Sequence, residues 1–352
     1  MKQFIVFIAL AGFVLTIPYF VIPPVRAQNY QAQDSSTLTL YIENDVFAGT
    51  DREYTNGMKL TWISQDFSDF REGKQLPCWS NVIIELLPFV NRKGYQKTLS
   101  LSFGQNMYTP DDIEAEFPAA DTRPYAGITY FSIGFHGRNQ RIMDSLELSL
   151  GMVGPHSYAE ECQKRVHIWT DSDYPNGWDN QIEDEFIANL YFERKLRLLS
   201  SELWHDLAWD IIPHVGCAFG NAFIAANTGT QLRCGWHLPN DFGTYQIRPG
   251  SDSNAPLDEN DPRFLSEREQ IGIHTFLAFD INAVFHNILL DGNIFRKSYS
   301  VEKEPYVSSI IWGIGVILER WKITYSYVLR SKEFKTQKDE QVYGSITLSY
   351  TF

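Results

Sequence analysis

Along much of the chain, apolar residues fall on every second position. Leu38, Leu40 and Ile42 alternate with Thr37, Thr39 and Tyr41, and Leu99, Leu101 and Phe103 alternate with Ser100 and Ser102. Leu146, Leu148, Leu150 and Met152 alternate with Ser145, Glu147, Ser149 and Gly151. The period returns at Leu207, Trp209 and Ile211, at Ile273, Thr275, Leu277, Phe279 and Ile281, and at Trp321, Ile323, Tyr325 and Tyr327. Successive side chains of a strand point to opposite faces, so the pattern predicts strands with one apolar and one polar face. In the last run Val342, Gly344, Ile346, Leu348, Tyr350 and Phe352 share one face, and Tyr343, Ser345, Thr347, Ser349 and Thr351 the other. Left uncovered in water, so apolar a strand would invite edge-to-edge aggregation. Lipid against the apolar face removes that difficulty. About twelve or thirteen such runs can be traced, and bacterial membrane barrels take even numbers of strands. The expected fold is therefore all-β, a transmembrane antiparallel barrel of about twelve strands; the alternative is an exported soluble sandwich.

Composition supports the barrel, because 14% aromatic residues with a negative mean hydropathy suit strands that show one face to lipid and one to a polar interior. Residues 1–27 read as a secretory signal peptide: Lys2 opens it, an apolar run extends from Phe4 to Ile17, and Val25-Arg26-Ala27 supplies a small-residue cleavage site. No later stretch is long and apolar enough for a membrane helix. Residues 28–352 carry no Ser/Gly/Pro linker and are expected to form a single barrel domain, with the polar stretch Arg248–Arg268 as one long loop. The formal net charge is −13, and loss of Lys2 and Arg26 makes it more negative. That excludes nucleic acid as a natural partner. Cys78, Cys162, Cys217 and Cys234 contain no CxxC pair, which argues against a zinc site. In an exported chain their pairing stays open.

Candidate chemistry lies in polar stretches between the strands. Ser157–His167 holds no Gly or Pro and is rich in helix formers, so a short helix is predicted. Gln163 and His167, four residues apart, then share a face. Far upstream, Glu43-Asn44-Asp45 ends one strand and Asp51-Arg52-Glu53-Tyr54-Thr55-Asn56-Gly57 begins the next, which places both at one rim. Their carboxylate, amide and hydroxyl oxygens are the hard ligands calcium takes, although the same residue types are common in plain turns. Strict alternation from Leu38 sends Asn44 to the lipid side and Asp45 inward, so a site using both requires the strand to end or bulge. Gln105–Asp112 and Asp121–Gly127 are further polar loops, and the fork of Arg123 matches phosphate oxygens.

Taken in order, END, DREYTNG, QNMYTPDD, DTRPYAG and GPHSYAEECQKRVH followed by Trp178-Asp179-Asn180-Gln181 resemble the outer-membrane lipid A 3′-O-deacylases. The resemblance covers Leu38 to about Phe186. It implies a twelve-stranded barrel in the outer membrane of a Gram-negative bacterium, monomeric, with lipopolysaccharide as partner. It also implies a calcium-dependent ester hydrolase that removes the 3′-linked acyloxyacyl chain of lipid A. His167 then corresponds to the catalytic base, Gln163 and Thr55 to further catalytic residues, and Asn44 and Asp45 to the metal-binding pair. One position departs: where the family carries a lysine after its YxP loop, this chain has Ala115. That leaves a phospholipase-like hydrolase, or a barrel without activity, as the alternatives.

Overall fold

The computed structural model describes residues 34–48, 53–67, 94–204, 206–248, 252–265 and 271–352. The expected signal peptide, Asp51, Arg52 and Cys78 lie outside the described residues. In chain order the elements are β1 (Thr37–Asn44), β2 (Glu53–Ile63), β3 (Gln96–Thr109), β4 (Ala126–Arg138), β5 (Ile142–Val153) and α1 (Ala159–Thr170). Then come β6 (Glu185–Leu196), β7 (Leu199–Trp204), β8 (Leu207–Gly220), β9 (Phe223–Trp236) and β10 (Ile271–Asn287). A short α2 (Ile288–Asp291), β11 (Tyr306–Leu318), β12 (Trp321–Arg330) and β13 (Gln341–Thr351) complete the set.

Among the described residues all pairings are antiparallel, β1 pairs with β13 and β6 with β8, so the sheet closes into a barrel, with β7 paired to β8 alone. Closure removes the edge hazard that the apolar strands would otherwise carry. The thirteen segments among the described residues make twelve staves, because β6 and β7 are one interrupted strand. Both lie on β8, with Lys195 opposite His214 and Leu199 opposite Ile211, a register shifted by a single residue. At the interruption Arg197 turns inward and donates to Asn240 Oδ1 at 2.6 Å.

Alternation sorts the two faces as the sequence predicts. Leu38, Phe103 (58% exposed), Phe131, Leu277, Trp312 and Ile323 point out, while Thr37, Thr39, Tyr41 and Glu43 point in and are buried. The lumen is laced by cross-strand hydroxyl pairs such as Thr39–Ser349 at 3.0 Å and Ser132–Ser149 at 2.6 Å. Such an arrangement suits a lipid exterior and a polar interior.

The polar segment expected as a loop between β9 and β10 instead threads the lumen. Asp252 accepts from Lys59 Nζ at 2.9 Å and from Tyr41 Oη at 3.2 Å, both wall residues. Asp241 meets Arg233 and Lys322, each at 2.6 Å, and Arg263 at 3.2 Å. Burial opposes the Asp241 charge, but these three cations outweigh it and hold its carboxyl well below the usual carboxylate range. Farther up, the Ile247 amide donates to Glu43 Oε1 at 2.6 Å. The segment thus plugs the barrel from the end that carries Phe352 and the short turns 139–141 and 319–320, here called the lower rim. Segments 45–48, 110–125, 154–184, 288–305 and 331–340 gather at the upper rim.

Candidate functional site

The helix predicted around Gln163 and His167 is α1. Its first turn carries Glu160 and Glu161, which favour the positive end of the helix dipole. Lys164 Nζ donates to Glu160 Oε1 at 2.5 Å, and Asp171 in the left-handed conformation ends the helix. Its buried stripe is Ala159, Gln163 and His167, spaced four apart. That stripe lies on the outside of the barrel. Gln105, Met107 and Thr109 share a strand face with exposed Phe103, and Gly127 and Thr129 share one with exposed Phe131, yet all five are shielded wholly or in part. The shield is α1 and the turn before it: Gln105 Nε2 and Thr129 Oγ1 each donate to the Ser157 carbonyl at 2.7 Å. Met107, Tyr125, Ala159 and Trp178 pack as one apolar cluster. Gly127 allows the contact, since a Cβ there would fall 2.3 Å from both Ala159 Cβ and Ser157 Oγ.

Two hydrogen bonds fix the chemistry of the stripe. His167, 8% exposed, directs Nδ1 at the Asp173 carbonyl, 2.5 Å away. A carbonyl only accepts, so Nδ1 carries the proton and Nε2 of the neutral ring keeps its lone pair. Gln163 Oε1 accepts from the indole Nε1 of fully buried Trp178 at 2.6 Å. An indole N–H only donates. The amide orientation is thereby set, and Gln163 Nε2 has no hydrogen-bond partner among the described residues.

The second half of the site forms where β1 ends. Asn44 is its last residue and faces outward, and Asp45, fully buried, opens a 3-10 turn over Asp45–Ala48. The strand therefore ends at the point where alternation demanded it. Asn44 Nδ2 donates to the Thr55 carbonyl and Asn44 Oδ1 accepts from the Val46 amide, both at 2.8 Å. On β2 the register against β3 slips between Tyr54 and Asn56, so Thr55 is the extra residue of a β-bulge. Its hydroxyl meets that of Thr109 at 2.7 Å. Thr109 stands two residues from Met107 on the outer face of β3, so the two halves flank one stretch of wall. The chain matches the outer membrane protein LpxR family over residues 8–352.

The chain belongs to the LpxR family. It is accordingly an outer-membrane protein of the Gram-negative envelope, as its closed barrel independently indicates. Among solved structures, LpxR from Salmonella typhimurium superposes with a TM-score of 0.66 at 18% identity, covering 90% of this chain and 100% of that one. At that identity the likeness is one of fold. The β domain of the Bordetella autotransporter BrkA reaches a TM-score of only 0.44 at 10% identity, over 92% of this chain and 100% of that one. No curated protein sequence matches the chain.

Within this LpxR-family barrel, Arg123 is separated from the outer wall. Its guanidinium lies 4.5 Å over the ring of Tyr108, an inward-facing residue, and Nη1 meets Glu333 Oε2 at 3.2 Å. A cavity of about 260 Å³ in the upper lumen is lined by Tyr108, Tyr191, Leu289 and Val307 among others, and none of His167, Gln163, Asn44 or Thr55 reaches it. Ala115 sits in a loop tied to the segment after α1, with Asn176 Nδ2 donating to the Glu114 carbonyl at 3.0 Å and Asn180 Nδ2 to that of Glu116 at 2.7 Å. Among the described residues Cys162, Cys217 and Cys234 are free thiols. No three His, Cys, Asp or Glu side chains gather there as a metal site, so any cation at this wall relies on amide, hydroxyl and carbonyl oxygens beside Asp45. Asp173 and Thr109 were not legible as site residues: the first acts through its backbone, and the second is one threonine in a strand rich in hydroxyls.

Proposed function

We propose that this chain is an outer-membrane ester hydrolase that removes the 3′-linked acyloxyacyl chain of lipid A, with His167 as general base. The observation that carries the reading is the Nδ1 contact of His167 with the Asp173 carbonyl, which leaves Nε2 as an acceptor in a buried stripe on the lipid side of the wall. With the upper rim, whose connections carry α1 and α2, on the extracellular side, α1 lies beside the leaflet that holds lipid A.

A water molecule bound at His167 Nε2 gives up a proton to the imidazole as its oxygen attacks the ester carbonyl. The tetrahedral intermediate collapses with cleavage of the bond to the sugar oxygen. His167 returns the proton to that oxygen, so the acyloxyacyl chain departs as a carboxylic acid and the sugar keeps a hydroxyl. Asn44 Oδ1, the Asp45 carboxylate and the Thr55 oxygens are hard donors that suit calcium in kind. Backbone, water and substrate oxygens would complete the six to eight positions it takes. Bound there, calcium supplies positive charge that polarises the ester carbonyl.

The test is mass spectrometry of lipid A from a host expressing the wild type or His167→Ala, both checked for barrel folding by heat-modifiable migration. Loss of one acyloxyacyl unit with the wild type alone is expected. Equal trimming by the variant would remove His167 from the reaction. Untrimmed lipid A with fatty acid released from phospholipid would move the substrate to glycerophospholipids, and silence in both assays would leave a barrel without activity.

A further inference from the structure

We infer that Trp178 is a positioning residue that fixes which end of the Gln163 amide faces the reacting ester, and that Gln163 Nε2 is the donor to the oxyanion. The inference rests on the hydrolytic reading above.

Gln163 and His167 stand one helical turn apart on the same buried stripe. A carbonyl placed between them would meet water held by His167 on one side and an amide on the other. Which amide atom it meets decides the outcome, because N–H stabilises developing negative charge and a carbonyl oxygen repels it. Free in water, a glutamine amide rotates about χ3 and offers either end. Here the indole of Trp178 removes the choice by donating to Oε1 at 2.6 Å.

The indole is itself immobilised. Trp178 is fully buried, its ring centroid lies 5.0 Å from that of Tyr125, and Met107 and Ala159 close the same cluster. The turn Gly177–Asn180 that carries it is held to the 110–125 loop through Asn176 N, which donates to the Ile113 carbonyl at 2.9 Å. The consequence for Gln163 is an N–H2 group shielded from solvent with no acceptor among the described residues. Native interiors seldom leave such a donor idle without a functional reason. An oxyanion arriving between α1 and the wall would satisfy it at the step where charge develops.

The experiment is a double-mutant cycle on the full-length protein purified in detergent, with hexa-acylated lipid A as substrate and released fatty acid as readout. Gln163→Glu keeps the volume and still accepts from Trp178 but replaces the donor by an acceptor. Its kcat is expected to fall about 10²–10³-fold, as for loss of one oxyanion donor, with KM little changed. Trp178→Phe is expected to lower kcat at least about tenfold in the wild-type background and to add nothing in a Gln163→Ala background, since then no amide is left to orient. A purely structural Trp178 would impose its loss in both backgrounds. Gln163→Glu activity near that of the wild type, or a Trp178→Phe loss repeated in full beside Gln163→Ala, overturns the inference. His167→Ala serves as the control that separates the two levels. A wild type inactive on both lipid A and phospholipid removes the hydrolytic reading and this inference with it, whereas an active wild type, a dead His167→Ala and an additive cycle remove this inference alone.

Discussion

Gly127 offers the most direct way to ask whether the seating of α1 on the wall controls the reaction. In Gly127→Ala the new Cβ would stand 2.3 Å from Ala159 Cβ and from Ser157 Oγ. Ordinary carbon contacts lie at about 3.5–4.0 Å, so the gap must open by more than ~1 Å. Neither neighbour is a flexible tip. Ala159 Cβ is fixed to the helix backbone, and Ser157 is held through its carbonyl by Gln105 and Thr129. The wall is less free to give than α1, because Gly127 lies in β4 between β3 and β5. The helix is therefore the part that moves, at an overpacking cost of about 1–3 kcal/mol. A displacement of about 1 Å at a catalytic group lowers rate by roughly 10²-fold. The expected phenotype is a barrel that folds and shows normal heat-modifiable migration, yet deacylates lipid A in micelles about 100-fold more slowly. Phe131→Ala, on the same outward face but exposed to lipid, is the control and should retain activity. A Gly127→Ala rate within about threefold of wild type would refute the claim that α1 must sit on a bare wall.

Three further outcomes are expected. Chelation with EGTA should stop deacylation, calcium but not magnesium should restore it, and Asp45→Asn should raise the calcium requirement by at least the ~10–100-fold seen when outer-shell partners of metal ligands are lost; a rate indifferent to EGTA removes calcium from the reading. Arg123→Ala should loosen segments 110–125 and 331–340 in hydrogen exchange without raising KM for lipid A, because its guanidinium is engaged with Glu333 and Tyr108; breaking such a pair costs up to about 3–5 kcal/mol when buried, less here because Arg330 stays 3.5 Å from Glu333. A raised KM with unchanged exchange would return Arg123 to phosphate binding. Asp291, which anchors α2, feels burial that raises its pKa, but hydrogen bonds from His286, Lys303 and the Asn287 amide outweigh it and hold the carboxyl below its ordinary 3.8. Its contribution is therefore complete above the unfolded value and lost as pH falls through the lower folded one. Exchange protection over 288–305, corrected for intrinsic rate, should drop only below about pH 4, and Asp291→Asn should loosen it at neutral pH; protection unchanged down to pH 2.5 would show that the carboxylate holds nothing.

The staves were legible because lipid and a polar lumen impose opposite demands on alternate residues, and that contrast survives in β1, β3, β5, β10, β12 and β13 at single-residue resolution. The plug was not. Asp241, Asp252 and Arg263 have the composition of a solvated loop, and a polar lumen accepts the same residues as water does, so composition cannot separate the two. The break between β6 and β7 was hidden for a related reason, since Arg197 turns inward for a partner, Asn240, that belongs to the plug.

At the site, helix formers and a spacing of four predicted α1 and its Gln163–His167 face, whereas Arg123 matched phosphate by chemistry and met Glu333 by geometry. A stronger signal was present in the strands themselves. Gln105, Thr109, Gly127 and Thr129 occupy outward registers beside Phe103 and Phe131, where a lipid-facing wall calls for apolar side chains. Polar and small residues at those registers would cost free energy against hydrocarbon, so something other than lipid must cover them. The turn before α1 does, accepting hydrogen bonds from Gln105 and Thr129 and resting on Gly127. Asn44 breaks the rule in the same way, and its amide is taken up by Thr55 and Val46. Departures from the barrel's alternation thus outline the footprint of the helix that holds His167, and they do so without reference to the histidine itself.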